Sequence, residues 1–335
     1  MSGVLDKIGV YLFPWGKKPP TLESLVDLAV FCEDLGFDSV QMPWHYTLPT
    51  VRIFPTFENR FVIDPLVALP VIAARCKRVR IGLNSIVLPL FHPFTWAKYF
   101  ATMDYVTGGR FLPGVAVGWW KEDFKAGGAE LAGRAARMDE AMQILSDLWA
   151  GREITEPGRF WDATGLSLEP LPIQQPFPLW VGGGEKSIER TARWASTLCP
   201  INPSPEEVRR DYRPAMDEAG ARYGKRLELA CFNYIVVVDD PDRIETYFRP
   251  RMLSRINFVT LDEVLKAPPD KEWIQPDDRI IWGSPEQCAK RLQELFDAGA
   301  DYMVIDFYFH GLEDEEFGKE QMKRFVEDVV PLMEK

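Results

Sequence analysis

Two rhythms of apolar residues alternate along the chain. Short β-branched and aromatic runs bounded by Gly and Pro are separated by longer stretches in which apolar residues recur every three or four positions. Lys7–Phe13 predicts a strand. Thr21 then caps a helix whose stripe (Leu22, Leu25, Val26, Leu28, Ala29, Phe31, Cys32) stops at Gly36, and Phe37–Met42 predicts the next strand. Strand, helix, strand is a βαβ unit. Asp64-Pro65 opens a helix running to Ala74, with the carboxylate as N-cap and proline in the first turn. A third strand starts at Val79 and ends in Val-Leu-Pro89. His92-Pro93 opens the helix to about Val106, Gly108-Gly109-Arg110 turns the chain, and a fourth strand ends in Gly114-Val-Ala-Val-Gly118-Trp119-Trp120. Two strands joined by one helix form a right-handed crossover, so their carboxyl ends open on one side of a parallel sheet. Such sheets carry their chemistry on that side.

The pattern continues with a helix from about Gly133 to Trp149, a small hairpin excursion at Gly158–Gln174, and a fifth strand, Pro178–Gly184, followed by the helix Glu185–Trp194. Thr197–Pro200 is the sixth strand, Ser204-Pro205-Glu206-Glu207 opens the next helix, and Leu227–Val238 is the seventh strand. Ser284-Pro285-Glu286 caps a helix ending at Gly299, Asp301–Asp306 is the eighth strand, and Glu315–Met333 is a final amphipathic helix. Eight strands, nearly all followed by helices, predict an α/β fold of the (β/α)8 TIM-barrel type. A doubly wound open sheet is the competitor, and it does not usually need eight units. The expected organisation is one barrel domain over residues 1–335, with insertion-like segments at about 43–63, 151–177 and 239–280 on the carboxyl-end face. Long irregular loops of this kind tend to be lids or binding loops.

Composition narrows the partners. Of 335 residues, 46% are hydrophobic and 27% charged, ordinary values for a globular enzyme, and the formal charge of −11 argues against nucleic acid or an anionic membrane as the main partner. A small anionic cofactor needs only a local pocket. The first residues lack a signal-peptide pattern and no apolar run approaches a membrane span, so a cytosolic protein is expected. The five cysteines are scattered with no Cys-x-x-Cys pair, which predicts reduced, buried thiols rather than a disulfide frame or zinc site.

The three histidines, His45, His92 and His310, each follow a predicted strand and would lie on the carboxyl-end face. A surface-loop role is the simple reading of His92 and His310. His45, just past Met42-Pro43, is as well placed to act as a functional imidazole. Gly182-Gly183-Gly184, between a strand and a helix and followed by Lys186 and Ser187, is either a tight turn or an anion site built from backbone N–H groups. Trp119 and Trp120, with Trp15, Trp44, Phe54 and Phe57, are either core or a flat wall for a planar heterocycle. For Glu122, Asp123, Arg134 and Arg137 a solvated surface is the simple reading, taken for Asp123, and Ser85 reads as a small polar residue facing the mouth. Beyond Asp306 and the histidines no metal-ligand set can be assembled.

Several stretches together resemble the bacterial luciferase-like superfamily of flavin- and deazaflavin-dependent oxidoreductases. They are Asp64-Pro65-Leu-Val-Ala-Leu, Arg80-Ile-Gly-Leu-Asn-Ser-Ile-Val-Leu-Pro-Leu-Phe-His-Pro, Ala97-Lys-Tyr-Phe-Ala-Thr-Met-Asp, Gly108-Gly-Arg-Phe-Leu-Pro-Gly-Val-Ala-Val-Gly-Trp, Pro178-Leu-Trp-Val-Gly-Gly and Trp282-Gly-Ser-Pro-Glu-Gln. The resemblance covers Lys7 to about Phe307. It implies a barrel, often a homodimer, that binds coenzyme F420 or FMN at the carboxyl-end mouth and acts on a small-molecule substrate. By position, Ser85-Ile86 resembles the pair that often forms a non-proline cis peptide under the ring. Gly118 and Trp119 would line the ring or its ribityl chain, Gly182, Gly183 and Ser187 would hold the phosphate, and His45 would stand at the reactive edge.

Three positions depart from the family pattern. Trp44 replaces an acidic residue or second histidine, Pro113 replaces an aliphatic residue and implies a bulge or altered fourth strand, and Trp119 replaces the glutamate that a sugar-phosphate dehydrogenase branch uses as an acid. The last departure argues against that activity. Ser-Ile before Val-Leu-Pro looks more like the F420 branch than the FMN monooxygenases, which favours hydride transfer to or from F420 on an apolar substrate. An FMN-dependent monooxygenase activating oxygen is the alternative. A flavin-retaining barrel without turnover and a metal-dependent barrel are the rivals from other classes.

Overall fold

The computed structural model describes residues 3–12, 20–46, 63–239, 280–307 and 315–333. Eleven strands occur among them: β1 (Ile8–Tyr11), β2 (Ser39–Met42), β3 (Arg80–Leu83), β4 (Ile86–Val87), β5 (Phe111–Leu112), β6 (Gly114–Ala116), β7 (Trp180–Gly182), β8 (Thr197–Cys199), β9 (Glu228–Val237), β10 (Ile281–Gly283) and β11 (Tyr302–Asp306). Every pairing is parallel, in the order β4-β6-β7-β8-β9-β11-β1-β2-β3-β5, with β10 beside β9. β3 and β4 are successive halves of one stave, as are β5 and β6. The order therefore begins and ends on the same two staves, and the sheet closes on itself. With β10 set aside as a branch of β9, eight staves remain, and the fold is the expected (β/α)8 barrel.

The two broken staves lie side by side, and the breaks match. β5 pairs with β3 below the break, and β6 pairs with β4 above it. Between β5 and β6 stands Pro113, which has no N–H to offer; its carbonyl takes the Trp180 N–H at 2.8 Å. The altered fourth strand expected at Pro113 is thus present. Gly114 allows the close approach beside it, since a Cβ there would sit 2.0 Å from the Leu83 carbonyl oxygen.

Local signals set the helix starts. Thr21, Ser204 and Ser284 close capping boxes, Asp64 accepts the Leu66 N–H with Pro65 in the first turn, and His92 Nδ1 accepts the Phe94 N–H at 3.2 Å. Three segments differ from expectation. Lys121–Ala126 forms a short helix between Trp120 and Gly133, where no element was expected, and Ile281–Gly283 adds β10. Gly158–Gln174 forms no hairpin strands. Side chains of neighbouring helices hold it instead: the Glu140 carboxylate accepts the N–H groups of Arg159, Phe160 and Trp161, and buried Asp104 accepts those of Ile173 and Gln174.

The two faces of each stave are filled differently. Met303 and Ile305 of β11 enter the core between barrel and helices, while Tyr302 and Val304 fill the lumen with Leu112, Trp180, Cys199, Ala230 and Phe232. Tyr11 and Tyr234 pack on this lumen cluster. Among the described residues no helix is long and apolar enough to cross a membrane, and no group of three His, Cys, Asp or Glu side chains is placed to hold a metal.

Candidate functional site

His45 follows β2 by three residues. Trp44 turns the other way, 2% exposed and edge-on to Tyr46, Phe91 and Trp96, so it belongs to the core and not to the mouth. With Trp44 anchored, the next side chain projects over the barrel end. His45 Nδ1 lies 2.7 Å from Asp123 Oδ2, and Asp123 Oδ1 accepts the Tyr46 N–H at 2.9 Å. Asp123 is 1% exposed, which corrects its reading as solvated surface. A carboxylate can only accept, so Nδ1 carries the proton in this pair, and in the neutral ring Nε2 is left with a lone pair. The stave β3/β4 lies between β2 and β5/β6 in the sheet, so the His45–Asp123 contact bridges its carboxyl end.

Trp119 is an exposed aromatic of this region, at 50%, with its ring 6.4 Å from that of His45. Trp120 is buried. Gly118 is buried too, with φ +76°, and a Cβ there would meet Val87 Cγ1 at 2.4 Å. Gly118 therefore shapes the wall from behind rather than forming its surface, and Arg134 Nε fixes its carbonyl at 3.0 Å. Arg134 and Arg137 both donate to backbone carbonyls.

On the other side of the β4 end, Ser85 faces Gly182: a Cβ on Gly182 would lie 2.7 Å from Ser85 Oγ. Ser85 Oγ donates to Asn84 Oδ1 at 3.0 Å, and Asn84 Nδ2 reaches Cys199 Sγ at 3.5 Å. Burial pushes the Cys199 thiol up to about 12, so it stays protonated. The non-proline cis bond is Asn84–Ser85, one peptide before the expected Ser85-Ile86. The Ile86 side chain is fully buried in the outer core.

The glycine run is only in part the anion site expected. The Gly183 N–H donates to the Cys199 carbonyl at 3.2 Å and is thus engaged in the barrel wall. Ser187 is buried beneath Gly183, where a Cβ would come within 2.5 Å of its Oγ. The chain continues through the 3-10 turn Glu185–Ser187 into the seven-residue helix Ile188–Trp194, and Gly184, Glu185 and Lys186 are exposed.

His92 caps its helix, and its Nε2 lies 3.4 Å from the Asp162 carbonyl, a structural role. His310, Trp15, Phe54 and Phe57 lie outside the described residues, as do most of the segments at 43–63 and 239–280.

A planar ring system fits the residues present. Ser85 and Gly182, both partly exposed, pack against each other at the carboxyl ends of β4 and β7, closely enough that a Cβ on Gly182 would lie 2.7 Å from Ser85 Oγ, and Trp119 offers an exposed flat face beside His45. Residues 9–302 match the family of luciferase-like monooxygenases, and the chain belongs to that family of oxidoreductases. An F420-dependent glucose-6-phosphate dehydrogenase of Kribbella flavida is 27% identical, covering 93% of this chain and 94% of that protein. An F420-dependent secondary alcohol dehydrogenase solved with an F420-acetone adduct superposes with a TM-score of 0.79 at 18% identity, covering 98% of this chain and 99% of that one. The FMN complex of a type II Baeyer-Villiger monooxygenase from Pseudomonas putida superposes with a TM-score of 0.73 at 16% identity, with 98% and 99% covered. The two superpositions show the shared fold.

Proposed function

We propose that this chain is an F420-dependent oxidoreductase whose reaction runs over the end of β4. The observation that carries the reading is half-buried His45 held by buried Asp123 beside the exposed face of Trp119 at the carboxyl ends of the staves. Ser85, Gly182 and Trp119 would hold the ring, with Gly183 and Ser187 shaping the phosphate end. F420, when bound, supplies a hydride acceptor or donor. His45 holds or takes a proton at Nε2, because Asp123 fixes the proton on Nδ1 and the orientation of the ring. Trp119 covers apolar surface and keeps water from the reacting atoms. The named relatives that use F420 support this cofactor; FMN is the second candidate, since the fold also accommodates it in another protein.

The chain is taken as one barrel domain acting on a small organic molecule, and a homodimer is part of the proposal. Val67 and Val71 on the helix Pro65–Arg75, with Tyr105 and Val106 on the adjacent helix Pro93–Thr107, leave an apolar face open that supports self-association. All five cysteines are free and buried, which supports a reducing, cytosolic setting. The test of function is turnover: F420-loaded protein is expected to exchange hydride with members of a panel of small alcohols and carbonyl compounds, and His45→Ala to abolish it. An unchanged rate in His45→Ala would remove His45 from the mechanism.

A further inference from the structure

Asn84 and Ser85, between β3 and β4, orient one another's polar groups, and both are partly exposed at the mouth. The Asn84 N–H donates to the Met42 carbonyl at 2.9 Å, which ties the backbone to β2. Its side chain reaches the other way, to Cys199 at the end of β8, where Nδ2 donates to Sγ at 3.5 Å. That contact leaves Oδ1 for Ser85, whose Oγ donates to it at 3.0 Å. A hydroxyl has one hydrogen and two lone pairs, and an amide oxygen can only accept. The Ser85 hydrogen is therefore spent on Asn84, and toward the mouth Oγ offers lone pairs alone. Gly182 opposite brings no side chain over that oxygen, since a Cβ there would lie 2.7 Å from it.

We propose that Asn84 is a positioning residue that sets cofactor specificity through Ser85: by holding the hydroxyl hydrogen it makes Oγ an acceptor only, and so turns away a ring with a lone pair at its reacting position. This rests on the reading of the mouth as the seat of the ring. Oxidised flavin and oxidised deazaflavin differ at that position of the central ring, where flavin has N5 with its lone pair and deazaflavin has C5–H. An oxygen that can only accept tolerates the C–H, itself a weak donor, and opposes the lone pair. Two acceptors brought together each lose a hydrogen bond to water, an effect on the order of 5- to 150-fold in affinity. The selection works by excluding the wrong ring rather than by gripping the right one harder. Reduced flavin escapes it, because its N5 carries a hydrogen that Ser85 Oγ can accept.

The test uses FMN and deaza-FMN, which share one phosphate and side chain and differ only in N5 against C5–H, titrated calorimetrically into the purified full chain. Deaza-FMN is expected to bind at least about fivefold more tightly than oxidised FMN, and reduced FMN, titrated without oxygen, to match deaza-FMN within about threefold. Asn84→Ala returns the hydroxyl hydrogen to Ser85, so oxidised FMN should bind more tightly than it does to the native chain and the gap should close to within about threefold. Asn84→Asp keeps an acceptor for that hydrogen and should keep the gap. A role confined to the fold would weaken both ligands alike. The native comparison needs no variant to fold and is itself decisive. Equal binding of oxidised FMN and deaza-FMN, no gain on reducing FMN, or a gap untouched by Asn84→Ala overturns the proposal. F420 binding beside equal affinities for the two FMN forms would leave the cofactor reading standing without this inference. Absence of F420 binding with the FMN ordering intact would do the reverse, and no saturable binding by any of the three would end both.

Discussion

Asp123→Asn is the most informative single change at the site. In the native chain both carboxylate oxygens are engaged in a nearly dry position, one on His45 Nδ1 at 2.7 Å and one on the Tyr46 N–H at 2.9 Å. Asparagine keeps the shape and can still accept from Tyr46, but it turns an NH2 toward the imidazole. The ring must then either accept at Nδ1, placing its proton on Nε2, or rotate away. Hydrogen bonds to charged groups are worth about 1.5–3 kcal/mol, so the loss of orientation should lower turnover about 10- to 150-fold. Substrate and F420 affinities should change little. With three histidines in the chain, nitrogen NMR of the imidazoles gives a direct assay. The His45 resonance should report a proton on Nδ1 in the native protein and on Nε2 in Asp123→Asn. Because the two residues act as a pair, His45→Ala/Asp123→Asn should be no slower than His45→Ala. An unchanged tautomer in Asp123→Asn, or rate losses that multiply in the double variant, would refute the assignment of Asp123 as the residue that positions His45.

The remaining predictions concern the mouth, the scaffold and assembly. Gly182→Ala places a methyl 2.7 Å from Ser85 Oγ and should weaken F420 binding at least tenfold with little loss of stability, whereas Gly118→Ala, at φ +76° and 2.4 Å from Val87, should lower unfolding free energy by about 1–3 kcal/mol in a denaturant titration. Burial pushes the Glu33 carboxyl up, but three N–H donors from Val79, Arg78 and Lys77, and then the Arg78 charge, outweigh it and hold it below its ordinary value. Its stabilising effect is therefore complete above the unfolded value of about 4.3 and is lost as pH falls through the lower folded value, so native and Glu33→Gln proteins should differ in stability at neutral pH and converge in acid. Val67→Glu with Val71→Glu should convert a dimer into a monomer in sedimentation velocity, and an unchanged mass would place self-association elsewhere or exclude it.

The fold was legible because its signals are local and repeated. Thr21, Asp64, His92, Ser204 and Ser284 each announce a helix within four residues, and eight apolar runs between such helices leave little but a barrel. Pro113 was legible as a disturbance, but the matching break in the neighbouring stave, between β3 and β4, lies nearly thirty positions earlier in the chain. The site was legible only where a residue's own position decides its role. His45 is aimed by Pro43 and by the anchored Trp44 beside it. Asp123 was not, because its burial comes from a side chain 78 residues away and its six-residue helix is too short to carry a stripe. The engagement of the Gly183 N–H was hidden for the same reason: it points to the next stave, and nothing in the glycine run reveals that. Ile86 lies in the outer core together with Val87 beside it, which no alternation along the run could foretell.

The central claim is that the mouth at the carboxyl ends of β4 and β7 holds a deazaflavin. Equilibrium titration of the purified protein with F420 and with FMN, followed by cofactor fluorescence and repeated with Gly182→Ala, tests it most directly. The account predicts micromolar or tighter F420 binding that Gly182→Ala weakens, with FMN bound more weakly. Micromolar FMN binding with none for F420 would contradict it.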